Sequence, residues 1–274
     1  MVEHPEAQII AGGSDVLVQV REGRRAGKEL VSIYMIDEMR GISIDEDEAI
    51  RIGSLTSFAS ITKNPIIQEK FGVLGEAVNM VGGPQIRAIG TIGGNTCNGV
   101  TSADSASTLH AWEAIIEITG PNGVRRVPIK DFYIKPKVVD LGPGELQTAI
   151  IIPKSSYENC YGHYIKYAMR NALDIATLGC SVNVVLSEDK KTCERVRIAY
   201  GVAGPVPARA YHAEEFMTGK EITDENIKQF AKTVLEDINP RDSWRAGKAF
   251  REHIGVVMAE RALRESIRLA GGEA

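Results

Sequence analysis

Apolar residues in the first half of the chain come in short runs between glycines, and in the second half they settle into longer periodic stretches. Ala7–Ala11 predicts a buried strand, and Ala49-Ile-Arg-Ile-Gly53 a short alternating one. Glu113–Thr119 and Val124–Ile129 flank Gly120-Pro-Asn-Gly123, whose Asn-Gly pair predicts a hairpin turn. Leu146–Ile152 is a further apolar strand, closed by Pro153. Beyond it, His163–Met169, Ala176–Leu186 and Arg195–Ala203 predict three strands, the last two joined by the polar turn Ser187–Lys191 in an antiparallel meander. Helical spacing follows in Asp224–Ile238, which Pro240 stops, and in Ala246–Ala270, which ends at Gly271-Gly272. The change of character places a boundary near Pro153–Tyr161, with residues 1–155 as one unit and 160–274 as a second of sheet followed by helices. The fold class is α+β.

Composition narrows the function classes. The 274 residues carry a net charge of −4, without the basic face that phosphate neutralisation on nucleic acid requires. No apolar run reaches the ~18–20 residues of a membrane span, and the N-terminus lacks the pattern of a signal peptide. Cys97, Cys160, Cys180 and Cys193 are scattered and form neither a disulfide framework nor a metal motif, so a cytoplasmic protein is expected. The five histidines show no metal-ligand spacing either.

The sharpest chemical feature is a pair of glycine turns. The first is Ile9-Ile-Ala-Gly-Gly-Ser-Asp15 and the second Gly90-Thr-Ile-Gly-Gly-Asn95, which runs on through Thr96-Cys-Asn-Gly-Val-Thr-Ser-Ala-Asp104. Glycine lacks Cβ, so the main chain can approach phosphate oxygens and aim successive N–H groups at them. Ser14, Thr91, Asn95 and Asn98 add neutral donors. Neither turn matches the G-x-G-x-x-G fingerprint. The run Gly23-Arg-Arg-Ala-Gly27-Lys28 falls one residue short of a Walker loop and is followed by Glu29. One Gly-Gly pair makes a tight turn; two, each beside small polar residues, point to a phosphate-bearing ligand.

The segments AGGSD, GGPQIRAIGTIGGNTCNGVTSADS, KYAMRNALDIATLGC and PRDSWRAGKAFR, in this order over nearly the whole chain, resemble the FAD-binding subunit of molybdenum hydroxylases. The likeness is closest to the flavin subunit of bacterial xanthine dehydrogenases. It implies a two-part FAD-binding module of the PCMH, vanillyl-alcohol-oxidase-like type, followed by a C-terminal antiparallel sheet with helices. It also implies a further strand and helix ahead of Glu3, so the N-terminal part reads as shortened, with FAD affinity the property at stake.

By the same resemblance, Gln8, Ile9, Ile10, Ala11, Gly12, Gly13, Ser14 and Asp15 hold FAD together with Thr91, Ile92, Gly93, Gly94 and Asn95. Asn98, Asp104, Gln147 and Lys166 stand where the family places further flavin contacts. Asp104 could also cap a helix over Ser105–Trp112, in place of that contact or together with it, and Lys166 could lie on a solvated strand face. Cys97 reads as a small buried filler. The chain has no ligand set for an iron–sulfur cluster, and no catalytic side chain is named. The resemblance implies a large subunit with the molybdenum cofactor, a small subunit with [2Fe–2S] clusters, and NAD as electron acceptor. The rivals are an aldehyde, nicotinate-like or carbon monoxide dehydrogenase subunit, a free-standing flavoprotein oxidoreductase, and a structural subunit without FAD.

Overall fold

The computed structural model of the chain describes residues 3–4 and 6–274. Its architecture is α+β, with two large antiparallel sheets. The first has five strands in the order Ile42–Ile44, Ile50–Gly53, Leu146–Ile152, Ile115–Gly120 and Gly123–Pro128. Isoleucines 50, 52, 116, 118, 150 and 152 are fully buried on one face, against Phe58, Ile61 and Leu74 of the helices that follow. The predicted hairpin closes with Gly120 paired to Gly123, leaving Pro121-Asn122 at its tip.

Five short helices, Phe58–Lys63, Pro65–Lys70, Gly72–Asn79, Pro84–Ile89 and Ile92–Cys97, stand where the hydrophobic pattern predicts none. Each is six to eight residues long, too short for helical periodicity to declare itself. Their starts are set by local chemistry. Ser57, Asn64 and Thr91 cap three of them through side-chain oxygens, and Pro65 and Pro84 sit in first turns, where a missing N–H is harmless.

The second sheet is the expected meander, Tyr161–Tyr167, Leu178–Leu186 and Cys193–Gly201, extended by Ala208–Arg209. Helices Tyr211–Met217, Asp224–Thr233 and Lys248–Leu269 bury one face of it around Val182, Ile198, Phe230 and Leu263. The other face receives helix Asp104–Ala111, all of whose residues are buried. Its small side chains permit this approach. Asn183 Nδ2 donates to Ala111 O (2.8 Å), and Thr108 and Ser181 hydroxyls lie 3.3 Å apart.

The N-terminal strand differs from expectation. Gln8–Ile10 pairs in parallel with Leu30–Ser32 in a separate two-stranded sheet, and its residues are half-buried. Helix Val16–Arg21 buries no residue. A small cluster of Ile33, Met39 and Leu55, with Ile9 and Ala11 against it, joins this piece to the rest.

Candidate functional site

The two glycine segments face each other across a cavity of about 350 Å³. Thirteen of the residues singled out in the sequence line it: Gln8, Ile9, Ala11, Gly12, Gly13, Ser14 and Asp15 from the first segment, Thr91, Gly93, Gly94, Asn95 and Asn98 from the second, and Gln147. The segments meet backbone to backbone. A Cβ on Gly12 would stand 1.9 Å from the carbonyl oxygen of Ile89, so only glycine fits. Gly13 has φ +79°, the left-handed region, and makes the turn that leads into helix Val16–Arg21. Asn98 Nδ2 donates to Asp15 Oδ2 (3.2 Å) and ties the two rims side chain to side chain.

The segments present different donors. In the first, the N–H groups of Gly12, Gly13, Ser14 and Asp15 donate to no other described residue. The second is the opening of a helix, not a loop. Its Gly94 N–H donates to the Thr91 hydroxyl (3.2 Å) and its Asn95 N–H to the Thr91 carbonyl (3.0 Å). What it offers the cavity is side chains. Asn95 Oδ1 accepts from Ser105 Oγ (2.7 Å), so its amide nitrogen is the end left available.

Gln147 reaches the cavity through a strand irregularity. Glu117 pairs with Ala149 and Ile118 with Gln147, so Thr148 is extra. That bulge turns Gln147 onto the buried face that simple alternation would give to Thr148. Gln147 Oε1 accepts from Thr96 Oγ1 (2.7 Å) and Cys97 Sγ (3.1 Å), while Nε2 is buried with no partner among the described residues. Ser54 Oγ, also on the cavity wall, is likewise buried and unpartnered. Buried polar atoms without partners are rare and costly, and these two belong to residues of the cavity wall. Cys97 lines the same wall, and burial raises its thiol to about 12, which keeps it protonated at neutral pH.

Ile10, Ile92, Asp104 and Lys166 are not among the lining residues. Asp104 and Lys166 instead pair with each other at 2.8 Å, their side chains 7% and 8% exposed. Asp104 lies in the first helical turn and makes no capping bond; Tyr164 OH donates to its other oxygen (2.8 Å). Burial pushes the Asp104 carboxyl up, against the opposing pull of Lys166 and Tyr164. The lysine also donates to the carbonyls of Met80 (3.0 Å) and Asp174 (2.8 Å), so all three of its protons are in use. It is therefore no solvated strand lysine. Met80 precedes Val81, which does line the cavity, and through it the pair touches the site indirectly.

The cavity wall also holds residues that the sequence reading passed over: Ser54, Gln19, Arg25, Lys137 and Glu145. Glu145 is held by Arg125 (2.7 Å) and by the Gly142 N–H (2.7 Å), with Arg125 the main cause of a carboxyl lowered to about 2. Ser54 and Glu145 carry no motif. Arg25 lies in the near-Walker run.

Residues 1–155 match the FAD binding domain in molybdopterin dehydrogenase, and residues 163–266 the C-terminal domain of the carbon monoxide dehydrogenase flavoprotein. The xanthine dehydrogenase FAD-binding subunit of Escherichia coli O157:H7 is 38% identical over 273 residues, covering 100% of this chain and 93% of that protein. The fold is close to a chain of carbon monoxide dehydrogenase from Hydrogenophaga pseudoflava, with a TM-score of 0.89 at 28% identity over 97% of this chain and 90% of that one. A chain of quinoline 2-oxidoreductase from Pseudomonas putida 86 shares the fold alone, with a TM-score of 0.90 at 22% identity over 98% and 92%. The chain belongs to this family: it is an FAD-binding subunit of the molybdenum hydroxylases and a component of an oxidoreductase. Its two-part module followed by a sheet-and-helix domain is the architecture of that group. Among the described residues no helix is long and apolar enough to cross a membrane.

Proposed function

We propose that the chain is the flavin subunit of a xanthine dehydrogenase-type enzyme of the cytoplasm, with FAD held in the cavity between the glycine segments. Its partners are a large subunit with the molybdenum cofactor and a small subunit with [2Fe–2S] clusters, and NAD is the acceptor. FAD supplies the ability to take electrons singly and to give them up as a pair. The single observation that supports the reading is one cavity lined by the first glycine segment, whose N–H groups from Gly12 to Asp15 donate to no described residue, and by Gln147 and Ser54, each with a polar atom that has no partner among the described residues.

The residues fit the group. The successive N–H groups of the first segment form a cradle for diphosphate oxygens. Gln147 Nε2, Ser54 Oγ, Thr91, Asn95 and Asn98 suit the hydroxyls of the ribityl chain or ribose. Gly94 leaves room beside them, since a Cβ there would meet only the Thr91 hydroxyl, at 2.9 Å. Asp104 and Lys166 act on the cofactor through the backbone they hold. The xanthine assignment is supported by the 38% relative, against 28% for the carbon monoxide dehydrogenase chain.

Two measurements test this. Flavin released from the purified chain by heat should chromatograph as FAD; FMN, or no flavin, refutes the cavity assignment. The chain co-expressed with its large and small subunits should reduce NAD with hypoxanthine or xanthine, and the chain alone should not. Turnover with carbon monoxide, an aldehyde or nicotinate in place of purine would move it to a sister enzyme.

A further inference from the structure

The N–H groups of the first segment are neutral donors, and a diphosphate brings negative charge, which is less costly to bury beside a cation. Two cations line the cavity, Arg25 and Lys137. Lys137 is exposed. Arg25 is half-buried in a turn whose neighbours are exposed, and it is held from both flanks of the first glycine segment. Its Nε donates to Gln19 Oε1 (2.6 Å), from the helix after the segment, and its Nη1 to Gln8 Oε1, from the strand before it. Gln8 is fixed in turn, since its Nε2 donates to Ile9 O (2.7 Å).

The chemistry of those two partners matters. Arg51, Arg125, Arg197 and Arg209 are all paired with glutamates. Arg25 is gripped by two neutral amides, and no described carboxylate lies within ion-pair distance of it. Its Nη2 donates to no described residue. Amides fix the plane of the guanidinium while leaving its charge uncompensated, the arrangement that suits an arriving anion.

We propose that Arg25 is a cofactor-binding residue that contacts the diphosphate of FAD, positioned for it by Gln8 and Gln19. This rests on the assignment of FAD to the cavity. It gives the near-Walker run Gly23–Lys28 a role in phosphate binding by a side chain instead of by a loop of amides.

The test is FAD binding to the full chain stripped of flavin, followed by flavin fluorescence, for the parent, Arg25→Gln, Arg25→Lys and Lys137→Gln. Arg25→Gln should weaken FAD about ten- to a hundredfold, the scale of a charge-assisted hydrogen bond. Arg25→Lys should recover part of the loss. ADP, competing with FAD, should lose affinity in parallel, while riboflavin binding stays within about twofold, because riboflavin has no phosphate. Raising the salt concentration should weaken FAD binding more in the parent than in Arg25→Gln. Arg25→Gln binding FAD as tightly as the parent overturns the proposal, as does a loss confined to Lys137→Gln. An equal loss for riboflavin and FAD also overturns it, since the damage is then to the cavity and not to a phosphate contact. A parent that binds no FAD at all refutes the cavity assignment itself, and this proposal with it.

Discussion

The two walls of the cavity are built in opposite ways. The second glycine segment is embedded in the main core: Ile92 and Thr96 are fully buried, and the N–H of Gly93 donates to Ser54 O (2.8 Å). Behind it, helix Asp104–Ala111 is fully buried and bolted to the second sheet through Asp104, Tyr164 and Lys166. The first segment rides on a two-stranded sheet and a helix with no buried residue, and its N–H groups are open. One wall is therefore stable without a ligand, and the other gains its missing hydrogen bonds from one. Binding and stability should separate accordingly.

The largest effect expected on the buried side is from Lys166→Met. It leaves the Asp104 carboxylate in a dry site without its cation, which should cost the flavin-free chain about 3–5 kcal/mol in urea unfolding. Adding Asp104→Asn should restore at least half of that. A variant with unchanged stability and weakened FAD binding would instead make Lys166 a direct cofactor contact.

Next come the glycines, as a matched pair. A Cβ on Gly93 would stand 2.5 Å from Ser54 Cβ, deep in the packed wall, so Gly93→Val should lower flavin-free stability by about 3 kcal/mol. Gly12→Val also collides, with Ile89 O, but on the thin wall the strain is relieved by parting the two segments. FAD affinity should fall about a hundredfold while the flavin-free unfolding midpoint hardly moves. Equal destabilisation by both would erase the distinction between the walls.

Acid should attack the buried wall selectively. Burial is the main cause of a His110 imidazole lowered from its usual 6.5 to about 4. Above pH 6.5 the ring is neutral in both folded and unfolded chains and contributes no pH dependence. Below that, the unfolded chain takes the proton first, so stability falls, by about 2 kcal/mol at pH 5. Urea unfolding at pH 7, 6 and 5 measures the slope, and His110→Asn should flatten it. The smallest effect is expected from Gln147→Leu, with stability within about 1 kcal/mol of the parent and FAD about fivefold weaker.

Much of this contrast lies beyond what the amino-acid pattern declares. The long meander strands and the two C-terminal helices are legible because their periodicity runs over many residues. The glycine segments are legible from composition as places of close backbone approach, and the structure brings both to one cavity. The helices between Phe58 and Cys97 are not, because helices of one or two turns look like punctuation when Ser57, Asn64 and Thr91 serve as caps. Asp104 and Lys166 lie 62 residues apart, and only the packing of helix 104–111 on the second sheet makes them partners. Ser54 had no signal, and Arg25 only its place in the near-Walker run, since their positions on the cavity wall come from which way a strand end and a turn face.

The central strand of the first sheet, Leu146–Ile152, has a bearing on how the protein is made. It lies between Ile50–Gly53 and Ile115–Gly120, strands that emerge from the ribosome well before it. Until it arrives, both older strands carry open edges, with the aggregation hazard this entails. The cavity also lacks Gln147 until then, so the site cannot be complete on a nascent chain that has only its glycine segments. On the proposed assignment of FAD to this cavity, flavin loading follows synthesis of that strand, once it has slotted into the middle of the sheet.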